Sequence, residues 1–488
     1  MNPARSPLEG AFFKGSPAIH RRACLLVLIA LAACGGVAPP PHDGPIVLIT
    51  FASLRADVVG EPGLTPNLDG LMRQADWAGR AIAPSSWGAP AMASLWTGLR
   101  PWQHQVLQTE SRIPPQLLTL PEALKAQGYE TFGFSGDSLF SQPTGYDQGF
   151  DALSELARGV DAGERLKRLG DGRRFVWVHI PEPAAPYIYR PRLVSRLGLQ
   201  SVDLPPRILP NQLAVYLDPA QPLPPARRQL FWTMYRLNVA WADERLGRLL
   251  AALRQSGEWD RTLLVVTSTH GEELGEKGQI LNGGNLGRQL LEVPFAVKLP
   301  KGFGRPIAVA RNRRIAAARL WATLVEAAGG EVPPAMAPSL FRRAPAAVLS
   351  ELYLTNGTNQ LSLVEGDDQL LWESRFAPPE PEYYRAYLAS MNRGNARIAR
   401  AELSAPPDEI FGRLLAGFRA TPPLTGQGAP RLTLERWEKT GSRRIDDSRD
   451  PRRTAELARL LARTWGEFVP VERAPGSEAR EWYTAESP

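Results

Sequence analysis

Unbroken apolar runs alternate with segments of helical periodicity between residues 45 and 330. Runs without polar interruption are typical of strands that helices cover on both faces, as in a parallel sheet. The predicted strands are Ile46–Phe51, Tyr129–Ser135, Phe175–Ile180, Leu263–Ser268 and Pro294–Leu299. The predicted helices are Asn67–Trp77, Pro90–Thr97, Leu118–Gln127, Arg228–Ser256 and Arg314–Ala328. This succession predicts an α/β domain over residues 45–330 with a mostly parallel central sheet.

The pattern changes after a proline-containing break at residues 332–345. Short apolar runs then predict antiparallel strands at Ala347–Leu354, Gln360–Val364 and Gln369–Trp372. An amphipathic pattern predicts a helix over Thr454–Trp465. We therefore expect a smaller C-terminal α+β subdomain over residues 331–488.

The N-terminus has the pattern of an export signal. Arg21 and Arg22 precede an apolar run, Cys24–Ala33, which is too short to cross a bilayer as a mature helix. The small residues before Cys34 resemble the bacterial lipobox. This predicts a lipoprotein signal peptide over residues 1–33, lipid on Cys34, a tether over residues 34–44, and anchorage in the cell envelope, facing the periplasm or the outside. The alternative is an ordinary secretory signal in which Cys34 is incidental.

Composition and charge narrow the range of partners. The chain of 488 residues is 43% hydrophobic and 22% charged, as expected for an ordinary globular protein that buries a sizeable core. Its net charge of +7 comes mostly from arginines scattered along the chain. Because the charge forms no basic-aromatic stripe, we expect no nucleic-acid binding. If Cys24 is removed with the signal, Cys34 is the only cysteine left, and no intrachain disulfide forms.

A turn followed by a helix is predicted at Trp87–Pro90. Pro90 suits the first turn of a helix, and Gly98 suits its end. The helix would open beside the carboxyl end of the strand Ile46–Phe51. Proteins of the α/β class bind anions at such places, because the free N–H groups of a helix N-terminus point there.

Seven segments carry recognisable motifs in a fixed order: Ile49–Gly60, Thr65–Met72, Gly88–Gly98, Arg100–Val106, Val178–Tyr187, Leu263–Gly278 and Asn282–Phe295. In order and spacing they resemble the motifs of the sulfatase family of the alkaline-phosphatase superfamily. The resemblance covers about residues 45–469 and is weak after residue 330. It implies a three-layer alkaline-phosphatase/sulfatase-like fold. It also implies hydrolysis of sulfate esters with a divalent metal, either calcium or zinc or manganese.

The same resemblance implies that key side chains are absent. The family's nucleophile falls on Gly88, and its metal-binding aspartates fall on Ala52 and Thr269. The histidine of a later motif of the family falls on Asn282. Three histidines do stand at motif positions: His104, His179 and His270. They indicate a remnant pocket, although inherited packing would explain them equally well.

These losses predict a chain without a bound metal, because hard cations need several converging oxygen donors. The Gly88 segment contains no cysteine, so the formylglycine route of many relatives is closed. A rescued site would have to use Ser85 or Ser86, or oxygens from Glu272 and Glu273. We expect the two glutamates on a solvated loop, since lone charged side chains are mostly exposed.

Three functions follow from this pattern. The favoured one is a sulfatase-like exported lipoprotein, a pseudoenzyme that has lost metal-dependent hydrolysis. It would bind a sulfated or phosphorylated glycan or lipid, or a partner protein, through the cleft that corresponds to the active site of sulfatases. The second is an active hydrolase or transferase of sulfate or phosphate esters with a rebuilt site. The third is a structural envelope protein in which the cleft has no role.

Overall fold

The computed structural model describes residues 40–108, 111–115, 117–140, 144–155, 163–167, 172–199, 204–213, 223–334, 336–354, 358–375, 431–438, 441–445, 452–453, 456–457 and 460–461. The elements below all belong to one unit that begins at Pro41. The predicted signal peptide, Cys34 and the tether up to residue 39 lie outside the described residues. Within the described part, no helix combines the length and the apolar character needed to span a bilayer.

The described part of the chain contains seventeen strands and ten α-helices. The strands are β1 Ile46–Ala52, β2 Trp77–Ile82, β3 Glu130–Ser135, β4 Ala152–Glu155, β5 Arg174–Pro183, β6 Tyr187–Ile188, β7 Arg207–Ile208, β8 Leu263–Ser268, β9 Glu273–Leu274, β10 Ile280–Leu281, β11 Glu292–Lys298, β12 Ile315–Ala316, β13 Val348–Tyr353, β14 Thr358–Glu365, β15 Asp368–Arg375, β16 Arg431–Glu438 and β17 Gly441–Ile445. The helices are α1 Pro66–Gln74, α2 Gly88–Thr97, α3 Pro101–His104, α4 Leu120–Lys125, α5 Gly163–Leu166, α6 Pro191–Arg196, α7 Pro210–Leu213, α8 Pro225–Gln255, α9 Arg288–Leu291 and α10 Arg319–Ala328.

The central sheet has eight strands in the order β12-β2-β11-β8-β1-β5-β3-β4. Five of its strand pairs are parallel, and β11 runs antiparallel to both of its neighbours, β8 and β2. The prediction of an α/β fold with a mostly parallel sheet is confirmed. Strand β1 lies at the centre, so its carboxyl end meets the ends of β5 and β8.

Alternate residues of β1 pack into two separate cores, which explains its unbroken apolar sequence. Val47, Ile49 and Phe51 belong to the core on one face, and Ile46 and Leu48 belong to the core on the other. All seven residues of the strand are buried. The period-two alternation of a strand therefore gives two apolar faces rather than one apolar and one polar face.

Helices cover both faces of this sheet and make three layers. The long helix α8 and helix α1 contribute to the core that contains Val47, while α2, α4 and α10 contribute to the core that contains Ile46. Helix α2 ends at Gly98, which adopts a left-handed φ of 68°. Helix α10 ends in the same way at Gly329, with a φ of 94°. Glycine is favoured at both places because a left-handed C-cap strains other residues.

A second sheet of five antiparallel strands follows in the order β13-β14-β15-β16-β17. The three predicted strands here are confirmed, with small shifts of their ends. Its core includes Leu361, Trp372 and Leu434, together with Leu457 and Leu461 from described helical residues within the predicted helix Thr454–Trp465. The expected α+β character is therefore present. The boundary at residue 330 stays a prediction.

The second sheet docks against the segments on both sides of α2. Glu351 of β13 is buried, accepts the backbone N–H of Trp102 at 2.8 Å and pairs with Arg100 at 3.1 Å. The backbone N–H of Glu351 donates to the carbonyl of Pro84 at 2.9 Å. These bonds tie β13 to the turn before α2 and to the start of α3.

Two predictions of elements at the central sheet were wrong. Trp77 does not end a helix but begins β2, because its ring is buried edge-on against Phe295 of β11 at 6.0 Å. The helix predicted from Arg314 starts at Arg319, since Ile315–Ala316 pairs with β2 as a short parallel strand. In both cases the local sequence favours a helix, but the residues pair as strands near one edge of the central sheet.

Candidate functional site

The candidate site lies where the carboxyl ends of β1, β5 and β8 meet. Thr50 stands opposite His179 in the parallel register of β1 and β5, and Ala52 follows at the strand end opposite Pro183. The backbone N–H of Thr269, just after β8, donates to the carbonyl of Phe51 at 3.0 Å. The structure thus brings Ala52, His179 and Thr269 to neighbouring strand ends.

Gly88 is the first residue of α2 and borders the same place. A Cβ atom built on it would lie 3.5 Å from Leu139, 3.9 Å from Phe140 and 3.9 Å from Cε1 of His270. These are ordinary van der Waals contacts, so the backbone would accept a side chain there. Trp87, the N-cap residue, gives no side-chain hydrogen bond to the helix start. The position that matches the family's nucleophile therefore lies beside His270 but carries no reacting atom.

His270 is held between two hydroxyl groups. Its Nδ1 lies 2.8 Å from Oγ1 of Thr269, and its Nε2 lies 3.0 Å from Oγ of Ser53. The Thr269 hydroxyl also donates to the carbonyl of Phe51 at 3.3 Å. Burial lowers the pKa of His270 to about 3, so the ring is neutral at pH 7.

Glu272 is buried, not solvated, which corrects the sequence-based expectation. Tyr187 donates its hydroxyl to one carboxyl oxygen at 2.7 Å, and Asn282 donates its amide to the other at 3.3 Å. Burial raises the pKa of Glu272 despite these donors. Glu273 is buried as well, and accepts the backbone N–H of Lys277 at 2.6 Å. The short strand β9, paired with β10, turns this part of the chain inward, and a single sequence gives no sign of it.

Ser53 is a site residue that the sequence reading missed. It follows Ala52 at the end of β1 and adopts a left-handed φ of 62°, which is uncommon for a residue with a side chain. Asn282 donates to its hydroxyl at 3.4 Å. We refer to Ser53, Thr269, His270, Glu272 and Asn282 as the strand-end cluster.

His179 lies next to this cluster, and only one of its ring nitrogens is hydrogen-bonded. Its Nδ1 pairs with the Thr50 hydroxyl at 2.8 Å, and Trp177 donates to the same hydroxyl at 2.9 Å. The Nε2 atom is buried without a hydrogen-bond partner. Burial, and to a smaller extent the neighbouring His270 and Arg245, lowers the pKa of His179 to about 3. The edge of Phe140 packs against the imidazole at 4.9 Å.

His104 is not part of the strand-end cluster. Its Nε2 pairs with Oγ of Ser94 in α2 at 2.9 Å, and its Nδ1 accepts the backbone N–H of Val106 at 3.0 Å. Both nitrogens therefore hold the connection between α2 and the residues after α3. For this histidine, packing is the better explanation.

Ser85 and Ser86, considered above as replacement nucleophiles, lie in the turn before Gly88. Both hydroxyls are buried and have no hydrogen-bond partner. The carbonyl of Ser86 accepts the backbone N–H of Gly283 at 3.0 Å, so the turn also contacts the segment that carries Asn282.

Arg55, which donates to the backbone carbonyl of Glu272 at 3.2 Å, is fully used in contacts within the protein. Arg55 is buried, and its guanidinium donates to Asp57 at 2.6 and 2.9 Å and to Glu276 at 2.5 Å. Its guanidinium also lies over the ring of Trp232 at 4.6 Å. Because its positive charge is neutralised by two carboxylates, Arg55 offers little to an anion in the cleft.

A cavity of about 310 Å³ opens beside the cleft at the ends of β3 and β4. Phe140 separates it from His179, and its polar wall is acidic. The lining carboxylates belong to Asp137, Asp147, Asp151 and Glu155. A lining of this charge disfavours an anionic ligand in the cavity itself.

These residues do not fit a divalent metal of the kind that sulfatases use. Ala52 presents a methyl group, and the hydroxyl of Thr269 is committed to Phe51 and His270. Both nitrogens of His270 face hydroxyl groups instead of a common point. Among the residues that the structure describes, no three His, Cys, Asp or Glu side chains converge closely enough to hold a metal ion.

The fold and the position of this cleft define a class of protein. A family model for sulfatases matches residues 46–162 and 229–330. Over these residues the chain carries a sulfatase domain, and its curated relatives include sulfatases and a protein of the alkaline-phosphatase superfamily.

Curated relatives match only part of the chain. A sulfatase of Formosa agariphila is 24% identical over 279 residues, which is 44% of this chain and 55% of the relative. The ulvan-active sulfatase of the same organism is 24% identical over 284 residues, covering 49% and 52%. The multifunctional alkaline phosphatase superfamily protein PehA of Trinickia caryophylli is 31% identical over 103 residues, covering 19% and 18%. The chain spans about half the length of the two sulfatases.

Solved structures share the fold over most of their length. The phosphonate monoester hydrolase of Agrobacterium radiobacter superposes with a TM-score of 0.54 at 18% identity, covering 83% of this chain and 100% of that one. The structure of BT4656 in complex with its substrate D-glucosamine-2-N,6-O-disulfate superposes with a TM-score of 0.53 at 17% identity, covering 79% and 99%. At this level of identity the likeness establishes the fold alone.

Proposed function

We propose that this chain is a pseudoenzyme of the sulfatase family that has lost metal-dependent hydrolysis and binds an anionic ligand in the old cleft. The observation that carries the proposal is the bonding of His270, whose two nitrogens both face hydroxyl groups of Ser53 and Thr269. A metal would have to break these bonds and would gain no carboxylate at Ala52 or Thr269. Loss of residues around a ligand alone weakens metal binding about 10- to 100-fold, and loss of ligands costs more.

Uncharged hydrogen-bond donors are available to an anion in the cleft. The Thr50 hydroxyl accepts a bond from Trp177, and we assign it as the donor to Nδ1 of His179, which leaves the ring proton of His179 on Nε2. That N–H group and the hydroxyls of Ser85 and Ser86 are buried without partners. The start of α2 adds a positive end of a helix dipole. A sulfate or phosphate group would satisfy these donors.

The ligand class follows from chemistry and from the relatives. A sulfated or phosphorylated glycan or lipid carries the required anion, and BT4656 binds a disulfated glucosamine. The acidic cavity beside Phe140 favours an uncharged or cationic part of the ligand next to that anion. We further propose that Cys34 carries a lipid and holds the protein in the bacterial cell envelope, facing the periplasm or the outside. A partner protein is the other candidate ligand.

Calorimetric titration tests the binding proposal. Inorganic sulfate, inorganic phosphate and a sulfated glucosamine are titrated into the purified protein and into the double variant Ser85→Ala/Ser86→Ala. We expect the glycan to bind, and to bind at least tenfold more weakly to the double variant, since about 1.4 kcal/mol of hydrogen bonding corresponds to that factor. Equal affinity of both proteins, or no binding of any of the three probes, would contradict the assigned anion site.

A further inference from the structure

Five arginine side chains from two distant segments come together on one flank of helix α8. Arg245 and Arg248 belong to α8 itself, Arg190 directly precedes α6, and Arg192 and Arg196 belong to α6. We call these five side chains the arginine surface. Because the two segments are far apart in the sequence, only the fold shows that the arginines form one cluster.

Trp241 of α8 holds two of these guanidinium groups close to one aromatic ring. The guanidinium carbon of Arg190 lies 4.2 Å from the centre of the indole ring, and that of Arg248 lies 5.2 Å from it. Arginine stacks well on aromatic rings because its guanidinium is planar. The stacking orders both cations before a ligand arrives, which lowers the entropic cost of binding one.

Two glutamates lie among the arginines. Glu182 of β5 accepts a bond from Arg245 at 2.7 Å and lies 3.9 Å from Arg190. Glu244 of α8 accepts a bond from Arg196 at 2.8 Å and a second bond from Arg192. Each carboxylate is therefore shared by two guanidinium groups, and the arginine surface keeps an excess of positive charge.

Arg190 has the weakest neutralisation of the group. Its separation of 3.9 Å from Glu182 is too long for a hydrogen bond, and its Nε is buried without a hydrogen-bond partner. Burial lowers the pKa of Arg190; Glu182 opposes this effect, and the neighbouring Arg245 adds to it. The guanidinium stays protonated, so an anion bound beside it would supply the missing compensation.

Arg55 shows the opposite arrangement elsewhere in the fold. Its guanidinium also lies over a tryptophan ring, at 4.6 Å from Trp232. It is paired with two carboxylates, those of Asp57 and Glu276. Stacking on tryptophan by itself therefore does not leave a cation available, and the excess of arginine over glutamate distinguishes the arginine surface.

The arginine surface is open to solvent. The side chain of Arg192 is 71% exposed and that of Arg196 is 34% exposed, and Arg248 is exposed as well. Arg190 and Arg245 keep 22% and 18% of their side-chain surface exposed. A ligand therefore reaches these guanidinium groups without entering the interior of the protein.

The chemistry of the arginine surface selects the kind of ligand. Guanidinium groups bind sulfate and phosphate groups through pairs of N–H bonds, and several such groups in one place favour a polyanion. A membrane surface fits poorly, because such binding needs exposed apolar side chains as well as charge. Leu118 is the one large hydrophobic residue exposed in the described part, and it precedes α4, on the other face of the central sheet. Single-stranded nucleic acid stacks its bases on free aromatic rings, whereas Trp241 already contacts two guanidinium groups.

We propose that the arginine surface docks a polysaccharide that carries several sulfate or phosphate groups. The surface shares no residue with the strand-end cluster, and the proposal does not rest on the anion site in the cleft. A protein that binds no single anion in the cleft can still hold such a chain on the flank of α8.

Calorimetric titration of the purified full-length protein with a heparin octasaccharide tests the proposal. We expect Arg192→Gln/Arg248→Gln to weaken binding about tenfold or more, because hydrogen bonds between charged groups account for at least that factor. Arg190→Gln should weaken it as well. Arg254→Gln is the matched control, since Arg254 is also exposed on α8 and lies 4.2 Å from the ring of Trp259, outside the arginine surface. It should bind the octasaccharide as the unmodified protein does.

The outcomes separate this surface from the cleft and from other partners. Weakening in the arginine variants with unchanged binding in Arg254→Gln supports the assignment. No binding of the octasaccharide, an equal loss in Arg254→Gln, or a loss confined to Ser85→Ala/Ser86→Ala overturns it, and the last result leaves the cleft proposal standing. Tighter binding of phosphatidylglycerol vesicles or of oligodeoxythymidine than of the octasaccharide also overturns it, because the partner would then be a membrane or a nucleic acid.

Discussion

At the scale of one residue, Gly88 stands where the resemblance to sulfatases implies a nucleophile. The backbone there does not require glycine, because a Cβ atom would make ordinary contacts with Leu139, Phe140 and His270. The absence of a side chain is therefore a chemical feature of the cleft and not a packing requirement.

This gives a first prediction. Gly88→Ser should fold with a free energy of unfolding within about 0.5 kcal/mol of the unmodified protein, since nothing is displaced. Gly98→Ser is the matched control. Its φ of 68° and a Cβ only 3.1 Å from Met336 and 3.2 Å from Trp321 should cost about 1 kcal/mol or more. Urea unfolding of both variants measures the difference, and an equally large loss for Gly88→Ser would show that the site is packed tightly.

Buried neutral histidines give the protein a second residue-scale property. Burial lowers the pKa values of His104, His179 and His270 to about 3, well below the ordinary 6.5. The unfolded chain takes up protons at pH values where the folded chain does not. Stability that is present above pH 6.5 is therefore lost as the pH falls from 6.5 toward 3.

The second prediction isolates one of these groups. The free energy of unfolding should fall with pH by up to about 1.4 kcal/mol per pH unit for each such histidine. His104→Gln removes one titrating group and should reduce the slope between pH 6.5 and 5 by that amount. Ser94→Ala keeps the imidazole and should keep the slope. Urea unfolding at several pH values tests this, and an unchanged slope in His104→Gln would refute the assigned protonation.

Docking of the second sheet is the main feature at the scale of elements. Glu351 of β13 bonds to Arg100 and to the backbone of Trp102, and its own backbone bonds to Pro84. One buried carboxylate thus ties β13 to the turn before α2 and to the start of α3.

The third prediction concerns this contact. Glu351→Ala should lower the free energy of unfolding by about 3–5 kcal/mol, because it breaks a buried ion pair by removing one partner. Glu164→Ala provides the control, since the pair of Glu164 with Lys167 is exposed and should contribute about 0–1 kcal/mol. Chemical unfolding of both variants makes the comparison. Equal small effects would mean that Glu351 does not hold the two elements together.

The sequence predicts elements well where burial is two-sided. Strands β1 and β8 have continuous apolar runs, and their predicted ends differ from the observed ones by no more than one residue. Strand β2 was missed because Gly79 and Arg80 interrupt its pattern, and its pairing with β11 is a long-range effect. Strand β16 was missed for a similar reason, since its partner β15 ends more than fifty residues earlier in the chain, and β17 in turn pairs with β16.

The site was predictable only in part. The motif series located Ala52, Gly88, Thr269, His270 and Asn282, which the structure brings to the strand ends and the adjacent start of α2. Glu272 was placed on a solvated loop, because its burial depends on Tyr187 from a distant segment. Ser53 gave no signal at all, since a backbone angle cannot be read from one serine.

At the scale of the whole molecule, the apolar scaffold and the polar cleft are distinct. Both cores of the central sheet are apolar, while the strand-end cluster consists of groups bonded to one another. Our proposal of a chain kept for binding rests on this contrast between the apolar cores and a cluster without a carboxylate at Ala52 or Thr269.

The fourth prediction concerns the subcellular localisation of the whole molecule. If Cys34 carries a lipid, the mature protein should partition into the detergent phase, and Cys34→Ala should release it to the soluble periplasmic fraction. Membrane fractionation with immunoblotting measures this. A Cys24→Ala variant is the control and should stay with the membrane, because Cys24 would be removed with the signal. No shift of the Cys34→Ala protein would remove the lipoprotein claim.

The metal content of the purified protein tests the central claim most directly. After dialysis against calcium, zinc, manganese or magnesium, elemental analysis should find only substoichiometric metal in the unmodified chain. The combined variant Ala52→Asp, Thr269→Asp, Gly88→Thr and Asn282→His serves as the comparison, and it should bind metal before it shows any turnover of an aryl sulfate. One equivalent of a divalent cation in the unmodified protein would contradict the account.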